Sequence, residues 1–360
     1  MHDKYVIVDD EMYLLGGRNS NDIFLGDYTT DINVDRDILV WDITKGEGES
    51  LQELEAYFRQ IWNEDCVQIK GGRKKNSSDI SVSEEAADDS EDAESNSKNS
   101  NIVNGIPNVE NEITDETQEK LSKYEKQYQS LEMRYASLKE KYTDIEDYSS
   151  WQEDTIPANK ITLVNNGTHA GPKTPLVLQT IRYLAQNAEN VTIQTPYVIC
   201  NGYMYDTLNE IASHAQLKII LNAVEKGSNP WGCTDYLNQK KKILNTGADV
   251  YELMNEVPVH TKAVLLDDRL SVVGSYNLDM RSTYLDTELM LVIDSKELNQ
   301  QIQSTEGTYI EKSKEVLSNG QETEGAQYET KVLNWQKKLF YGVLRIITRP
   351  CLLYTSDAAD

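Results

Sequence analysis

The sequence predicts an α/β protein of two repeated halves, each a mixed β-sheet flanked by helices, with the first half incomplete. The main observation is a polar motif, H-x-K-x4-D followed after six residues by a glycine and an asparagine, which occurs twice at an offset of 258 residues. Identical spacing in both copies indicates an internal repeat. A second observation is the alternation of helix-like and strand-like segments over residues 155–320, which is typical of an α/β sheet. The repeated positions are His2, Lys4, Asp9 and Asn19 in the first copy and His260, Lys262, Asp267 and Asn277 in the second.

The first half covers residues 1–65. Short apolar runs at 5–8 and 12–15, separated by acidic turn residues, and a third run at 38–40 predict three adjacent strands. A helix over 49–63 follows, because its apolar residues fall on one face. Only Met1 precedes the first motif, whereas about 100 residues of helix and strand pattern precede the second. We therefore expect an N-terminally truncated fragment, whose missing part could carry a membrane anchor.

Residues 66–154 form a predicted acidic insert between the halves. The stretch 71–110 is rich in Ser, Asn, Asp and Glu and poor in large apolar side chains, which predicts disorder. Apolar residues at alternating steps of three and four then predict a heptad helix over about 120–146. Two interpretations stay open for this helix: a structural helix of a solvated insert, or a coiled-coil contact with a partner or a second copy.

The second half, residues 155–320, is predicted to be complete. Before its motif we expect helices at 175–187, 203–214 and 235–245 and strands at 190–195, 217–222 and 249–253; after it come strands near 263–266, 270–273 and 289–293 and a helix at 296–318. The loops at 196–197 and 227–232 follow parallel strands. They should lie at the carboxyl edge of the sheet, where α/β proteins usually place their sites.

Charge and composition narrow the class of partner. The formal net charge of −25 argues against a nucleic-acid binder, which usually has a basic surface. The four cysteines are scattered and indicate reduced thiols in the cytoplasm. Residues 330–350 alternate cations with large apolar side chains, which favours an interfacial helix on anionic phospholipid, with a core-packing helix as the alternative. We expect a cytoplasmic protein, peripheral at the inner face of the cell membrane.

The repeated motif carries the residue types that phosphodiester chemistry requires. Imidazole titrates near neutral pH, so His2 and His260 can serve as nucleophile and as acid for the leaving oxygen. Lys4 and Lys262 would hold the phosphoryl oxygens as point charges. Asn19, Ser275 and Asn277 would add neutral donors to the same oxygens. No metal-ligand spacing occurs in the sequence, so we expect neither a metal nor a cofactor.

The twin motifs resemble those of the phospholipase D superfamily, whose members build one active site from two such motifs. The phrases GSYNLDMRSTYLDTE and GGRNSND, with RDILV downstream, are similar to bacterial cardiolipin synthases, and most to the C type. The resemblance implies that a phosphatidyl group is transferred to phosphatidylglycerol from a second phospholipid, through a phosphohistidine intermediate. The alternatives are a hydrolytic phospholipase D that releases phosphatidic acid, a phosphodiesterase or nuclease, and a non-catalytic scaffold.

The resemblance also suggests individual roles. It implies that His2 is the nucleophile and His260 the acid, and that Glu288, on the third strand, orients the histidine. Asp37 is the matching carboxylate of the first half. Asp9 and Asp267 complete the motifs and are included among the catalytic candidates, with a structural or outer role expected for both.

Overall fold

The computed structural model describes residues 1–26, 29–64, 67, 102–103, 106–107, 115–144, 146–317 and 319–357. The chain divides into two compact units: residues 1–64 with 156–360, and residues 65–155. Most of the stretch predicted to be disordered, 71–110, lies outside the described residues.

Residues 1–64 form a small antiparallel sheet with a covering helix. Its three strands, β1 (Tyr5–Val8), β2 (Met12–Gly16) and β3 (Asp37–Trp41), pair in sequence order. The short helix α1 (Asp22–Leu25) lies between β2 and β3, and α2 (Glu49–Asn63) follows. These strands and α2 occupy the positions that the apolar pattern predicts.

The described residues of the unit 65–155 form two antiparallel two-residue strands and two helices. They are β4 (Ile102–Val103), β5 (Ile106–Pro107), α3 (Asp115–Lys141) and α4 (Tyr148–Glu153). The predicted heptad seam lies on α3 and is exposed: Tyr124, Tyr128 and Leu131 each keep more than 60% of their surface in contact with solvent.

Residues 156–357 contain a nine-stranded mixed sheet. Its strands are β6 (Lys160–Asn165), β7 (Asn190–Gln194), β8 (Gln216–Asn222), β9 (Asp249–Leu253), β10 (Ala263–Leu266), β11 (Leu270–Gly274), β12 (Leu289–Asp294), β13 (Ser313–Val316) and β14 (Glu322–Glu324). The spatial order is β14-β13-β9-β8-β7-β10-β11-β12-β6, with β7, β8 and β9 parallel and the other neighbours antiparallel. The helices are α5 (Leu176–Ala185), α6 (Gly202–Ala212), α7 (Pro230–Leu244), α8 (Met280–Tyr284), α9 (Lys296–Glu311) and α10 (Trp335–Asp357).

One predicted helix is too long. The helix expected over 296–318 ends at Glu311, and the chain turns into β13, which pairs antiparallel with β9 so that Val316 lies opposite Val250. The pairing satisfies the backbone groups of β13 at the open edge of the parallel strands. The apolar residues of β13 are too few for the pattern to distinguish this strand from a continued helix.

The small sheet stacks on strands of the large sheet. Tyr13 and Leu15 from β2 share a buried cluster with Leu289 and Leu291 from β12, and Leu54 of α2 packs against the same cluster. Alternate residues of the neighbouring strands point the other way, so that Val264 and Val272 join the core under α5 and α6. The two halves therefore share a continuous apolar interface, at whose edge the two copies of the motif meet.

The last helix packs along α7. Tyr341 and Leu344 are buried, whereas apolar side chains on the other side of α10 are exposed. Among the described helices, none combines the length and apolar character that crossing a bilayer requires.

Candidate active site

Each motif histidine is attached through its backbone to the opposite half of the larger unit. His260 precedes β10, and its backbone N–H donates to the carbonyl of Val34, 2.6 Å away, in the first half. His2 precedes β1, and its N–H donates to the carbonyl and the hydroxyl of Thr287, at 3.3 and 3.2 Å, in the second half. The stacked sheets thus bring the equivalent ends of two hairpins to one place.

The carboxylates are exchanged between the halves: each imidazole contacts a carboxylate that comes from the other half. Nδ1 of His2 lies 3.0 and 3.1 Å from the two carboxylate oxygens of Glu288. Nδ1 of His260 lies 2.7 Å from Oδ2 of Asp35. Both carboxylate side chains are fully buried, at 0% exposure. An Nδ1–H that donates to a carboxylate fixes the tautomer in which Nε2 carries the lone pair, as nucleophilic or base chemistry at Nε2 requires.

A lysine accompanies each histidine: Lys262 is buried and Lys4 is half-buried. Nζ of Lys262 lies 2.7 Å from Nδ1 and 3.0 Å from Nε2 of His260, and its side chain also reaches the His260 carbonyl. Lys262 is only 1% exposed, and burial lowers its pKa to about 7 although Asp35 opposes the change. Lys4 donates to the carbonyl of His2, and burial lowers its pKa against the field of Glu288.

His260 is held in its neutral form. Burial lowers its pKa to about 4 against the opposing Asp35, and the positive charges of Lys262 and His2 act in the same direction as burial. The positive charge of Lys4 likewise lowers the pKa of Lys262. These electrostatic effects connect residues of both motif copies.

The structure corrects the choice of carboxylate in the first half. Asp37, which the sequence predicts to orient a histidine, instead accepts hydrogen bonds from Arg18: 2.5 Å from Nε and 3.3 Å from the backbone N–H. Asp35 takes that role. Glu288 does orient a histidine, but it contacts His2 of the other half. The only signal for Asp35 was its place in the Asp35-Arg36-Asp37 phrase, which does not reveal that the partner imidazole lies 225 residues away.

Asp9 and Asp267 lie outside the site, which contradicts their inclusion among the catalytic candidates. Each occupies the turn of a hairpin in the left-handed region, with φ of 52° and 51°. Oδ1 of Asp267 accepts hydrogen bonds of 2.9 Å from the backbone N–H groups of Glu189 and Asn190. The strand β10 separates Asp267 from His260 by about 20 Å, at roughly 3.3 Å per residue. Their role is to shape the turn.

The three side chains predicted to donate to the phosphoryl oxygens, those of Asn19, Ser275 and Asn277, lie in different environments. The hydroxyl of Ser275 donates to Glu288 over 2.5 Å and accepts from the Leu289 N–H over 3.0 Å, so it supports the carboxylate rather than facing a substrate. Asn277 is buried, and its side-chain oxygen has no hydrogen-bond partner among the described residues. Asn19 is half-buried in the equivalent position of the first half.

A cleft opens beside His260. The ring of Phe24 lies edge-on to the imidazole, with the ring centroids 5.0 Å apart. Tyr197, Asn222 and Asn229 line the same cleft, so both loops expected at the carboxyl edge of the sheet reach it. The ring of Tyr197 packs so closely on α7 that a Cβ at Gly232 would lie 2.8 Å from it.

Part of the chain is similar in sequence to known proteins. Residues 180–305 match a family model described as cardiolipin synthase, PLD-like domain. Cardiolipin synthase A of Escherichia coli O157:H7 is 31% identical over 153 residues, which cover 40% of this chain and 30% of the relative. The enzyme of the same name from Klebsiella pneumoniae is 30% identical over 142 residues, which cover 38% and 27%.

Among solved structures, the phospholipase D family member Nuc from Salmonella typhimurium aligns with a TM-score of 0.35 and 13% identity, over 46% of this chain and 100% of Nuc. The chain spans about 30% of the length of the curated relatives it matches. The repeated motif and the matched segment support a place in the phospholipase D superfamily, and part of the chain is similar in sequence to the cardiolipin synthases.

Proposed function

We propose that the protein transfers a phosphatidyl group from one phospholipid to a hydroxyl of phosphatidylglycerol, which yields cardiolipin. The observation that carries the proposal is the pair of exchanged histidine–carboxylate contacts, His2 with Glu288 and His260 with Asp35, each beside a lysine. Two imidazoles held in a defined tautomer suit a double displacement at a phosphodiester. The names of the cardiolipin synthase relatives support phospholipids as the substrates.

In the proposed first step Nε2 of one histidine attacks phosphorus. A P–N bond forms, the P–O bond to the leaving alcohol breaks, and the alcohol oxygen takes a proton from the imidazolium of the other histidine. In the second step that histidine, now neutral, accepts the proton of the incoming hydroxyl. The hydroxyl oxygen bonds to phosphorus and the P–N bond breaks. Lys4 and Lys262 balance the charge on the non-bridging oxygens as it grows in each transition state.

We assign the nucleophile to His260 and the acid to His2, which reverses the roles that the resemblance implies. A nucleophile must carry a free lone pair at the working pH, and the lowered pKa of His260 keeps it neutral there. The role of acid then falls to His2, whose Nδ1 lies 3.0 and 3.1 Å from the two oxygens of the Glu288 carboxylate.

Trapping the covalent intermediate tests this assignment. The wild type and the His2→Ala and His260→Ala variants are quenched after mixing with a phosphodiester that has a good leaving group and needs no acid. Mass spectrometry of peptides should find phosphohistidine at position 260 in wild type and His2→Ala, and none in His260→Ala. Modification at His2 instead would restore the original assignment.

Product analysis tests the activity itself. The protein is mixed with phosphatidylglycerol vesicles, with and without phosphatidylethanolamine, and lipids are resolved by mass spectrometry, with His260→Ala as the blank. Cardiolipin that requires His260 is the expected product. Phosphatidic acid alone would make the enzyme a hydrolytic phospholipase D, and no lipid product would direct the search to other phosphodiesters, including nucleic acids.

We also propose that α10 rests on the surface of an anionic membrane. Leu339, Phe340, Val343 and Ile346 on this helix are at least 50% exposed, and Lys337 and Lys338 are exposed beside them. Such a helix lies in the headgroup region with its apolar side inserted, and its cations attract anionic lipid. Tyr341 of α10 contacts Cys233, which lines the cleft beside His260, so a membrane at α10 would be close to that cleft.

The exposed seam of α3 is proposed as a contact with a second copy of the chain. Tyr124, Tyr128 and Leu131 follow heptad spacing, which suits pairing of two such helices. Sedimentation of the isolated α3 peptide and of the whole chain tests this, and a monomer in both would contradict it.

A further inference from the structure

A second cleft lies next to the candidate active site. Its volume is about 850 Å³, and it is formed by the loops after β8 and β9 and by residues 326–331. Lys226 lines it and immediately precedes Gly227, which lines the cleft beside His260. Glu256 lines it from the other loop and lies four residues before His260. The two clefts are therefore neighbours on the carboxyl edge of the sheet.

Three ammonium groups line this second cleft, which we call the lysine cleft: those of Lys226, Lys312 and Lys331. Nζ of Lys226 donates to the carbonyl of Glu256 over 2.9 Å, and Nζ of Lys312 lies 3.5 Å from Oδ1 of Asn255. Each ammonium has three donors, so donors remain for a ligand.

None of these lysines forms an ion pair with a carboxylate of the described residues. In the described ranges, none of the three has a carboxylate oxygen within 4.0 Å, whereas the neighbouring Lys240 and Lys314 both pair with Glu252. Three unpaired cations in one concavity are unexpected in a chain with a net charge of −25. The lining thus favours an anionic ligand.

The same cleft also presents hydrogen-bond acceptors. The side chains of Glu256, Gln327 and Glu329 contribute to its wall. A ligand that matches both sets of groups carries one negative phosphodiester together with free hydroxyl groups. The headgroup of phosphatidylglycerol has this composition, since a phosphate is followed by a glycerol with two hydroxyls.

We propose that the lysine cleft binds the glycerophosphate headgroup of the acceptor lipid and presents its terminal hydroxyl to the phosphohistidine. This inference rests on the proposed transferase function. The acceptor's own phosphate lies three carbons from the attacking hydroxyl, so it must be held apart from the phosphorus that reacts. Lys4 and Lys262 serve the reacting phosphorus, and the lysine cleft supplies separate cations one loop away.

Lysine-to-methionine variants of the full chain test the proposal, because methionine keeps most of the side-chain length and removes the charge. With phosphatidylethanolamine as donor, the KM for phosphatidylglycerol should rise about tenfold in Lys226→Met, equivalent to about 1.4 kcal/mol. Formation of phosphatidic acid from the same donor, which uses water, should not change. Lys160→Met is the control, since β6 lies at the opposite end of the sheet from β9. Equal losses of transfer and hydrolysis in Lys226→Met would overturn the proposal.

A binding measurement separates this proposal from the proposed activity. Glycerophosphoglycerol, the headgroup without its acyl chains, is titrated calorimetrically into His260→Ala protein and into the same protein with Lys226→Met and Lys312→Met added, after circular dichroism has shown that both are folded. Binding that is lost only with the added changes supports the site even if no lipid product is ever formed. Equal binding to both proteins would overturn it, as would binding of inorganic phosphate without binding of glycerophosphoglycerol.

Discussion

His260 and Lys262 titrate in a range that makes the activity depend on pH. The proposed mechanism needs His260 neutral, which holds above its pKa of about 4, and Lys262 charged, which holds below its pKa of about 7. The rate should therefore rise with pH near 4 and fall near 7. The apparent pKa values of this profile belong to the coupled pair of His260 and Lys262 rather than to either residue alone. Measurement of kcat/KM from pH 3.5 to 9.5 checks this, with circular dichroism to exclude unfolding. A rate that stays constant up to pH 9 would rule out a charged Lys262 as a requirement.

Asp35 and Asp37 give a matched pair of substitutions two residues apart. Asp35→Asn removes the carboxylate that fixes the tautomer of His260, and kcat should fall by about 10²- to 10⁴-fold. Asp37→Asn weakens a partly exposed contact with Arg18, which is worth about 1 kcal/mol or less, so kcat should fall about fivefold at most. Steady-state kinetics on both variants shows which of the two aspartates kcat depends on. A larger loss in Asp37→Asn would return the orienting role to Asp37.

At the scale of elements, two glycines permit the close approach of neighbouring strands. A Cβ at Gly274 would lie 2.1 Å from the carbonyl oxygen of Leu289, and one at Gly16 would lie 2.5 Å from that of Arg36. Alanine at either position should destabilise the protein by about 1–3 kcal/mol and lower the Tm by roughly 2–4 °C for each kcal/mol.

Differential scanning calorimetry measures the effect of these alanines. Gly202→Ala at the start of α6 is the control, because a Cβ there meets no atom within 4 Å. Its Tm should be unchanged or slightly higher, since alanine favours helix. An equal Tm in all three variants would show that the strands can move apart at no cost.

The exposed side of α10 allows a test of the membrane proposal. Serine at both Leu339 and Ile346 removes two apolar side chains that are 60% and 75% exposed, and partition onto anionic vesicles should weaken about tenfold. Vesicle flotation measures the change. Val6→Ser, at an exposed apolar position of β1, serves as the control. Unchanged flotation of the double variant would exclude α10 as the contact.

Local pattern predicted most elements but not the contacts between halves. Short apolar segments placed β9 and β10 at their observed bounds, and apolar residues on one helical face placed α2. The strand β13 was missed, since its few apolar residues fit a helix equally well. Asp35 was missed for a different reason: its role depends on a contact with His260 that forms only when the two sheets stack. Motif spacing identifies which residues share a site, but not which carboxylate faces which imidazole.

At the scale of the whole molecule, the unit of residues 65–155 should be dispensable for folding of the rest. The residues before and after it form one unit with its own core, and closing a flexible loop costs free energy that grows only slowly with length. Replacement of residues 65–155 by a linker of about 20 Gly and Ser residues should leave the Tm of the remaining unit within about 2 °C. Calorimetry measures this, and an insoluble product would contradict it.

Because each imidazole takes its carboxylate from the other half, the site can form only after both halves have been synthesised and folded. Glu288 follows its partner His2 by 286 positions, and His260 needs Asp35 from the half that is made earlier. Neither imidazole has its carboxylate until both sheets have stacked. A chain that is still being synthesised would therefore hold no oriented nucleophile or acid, and the proposed reaction could not begin until folding is complete.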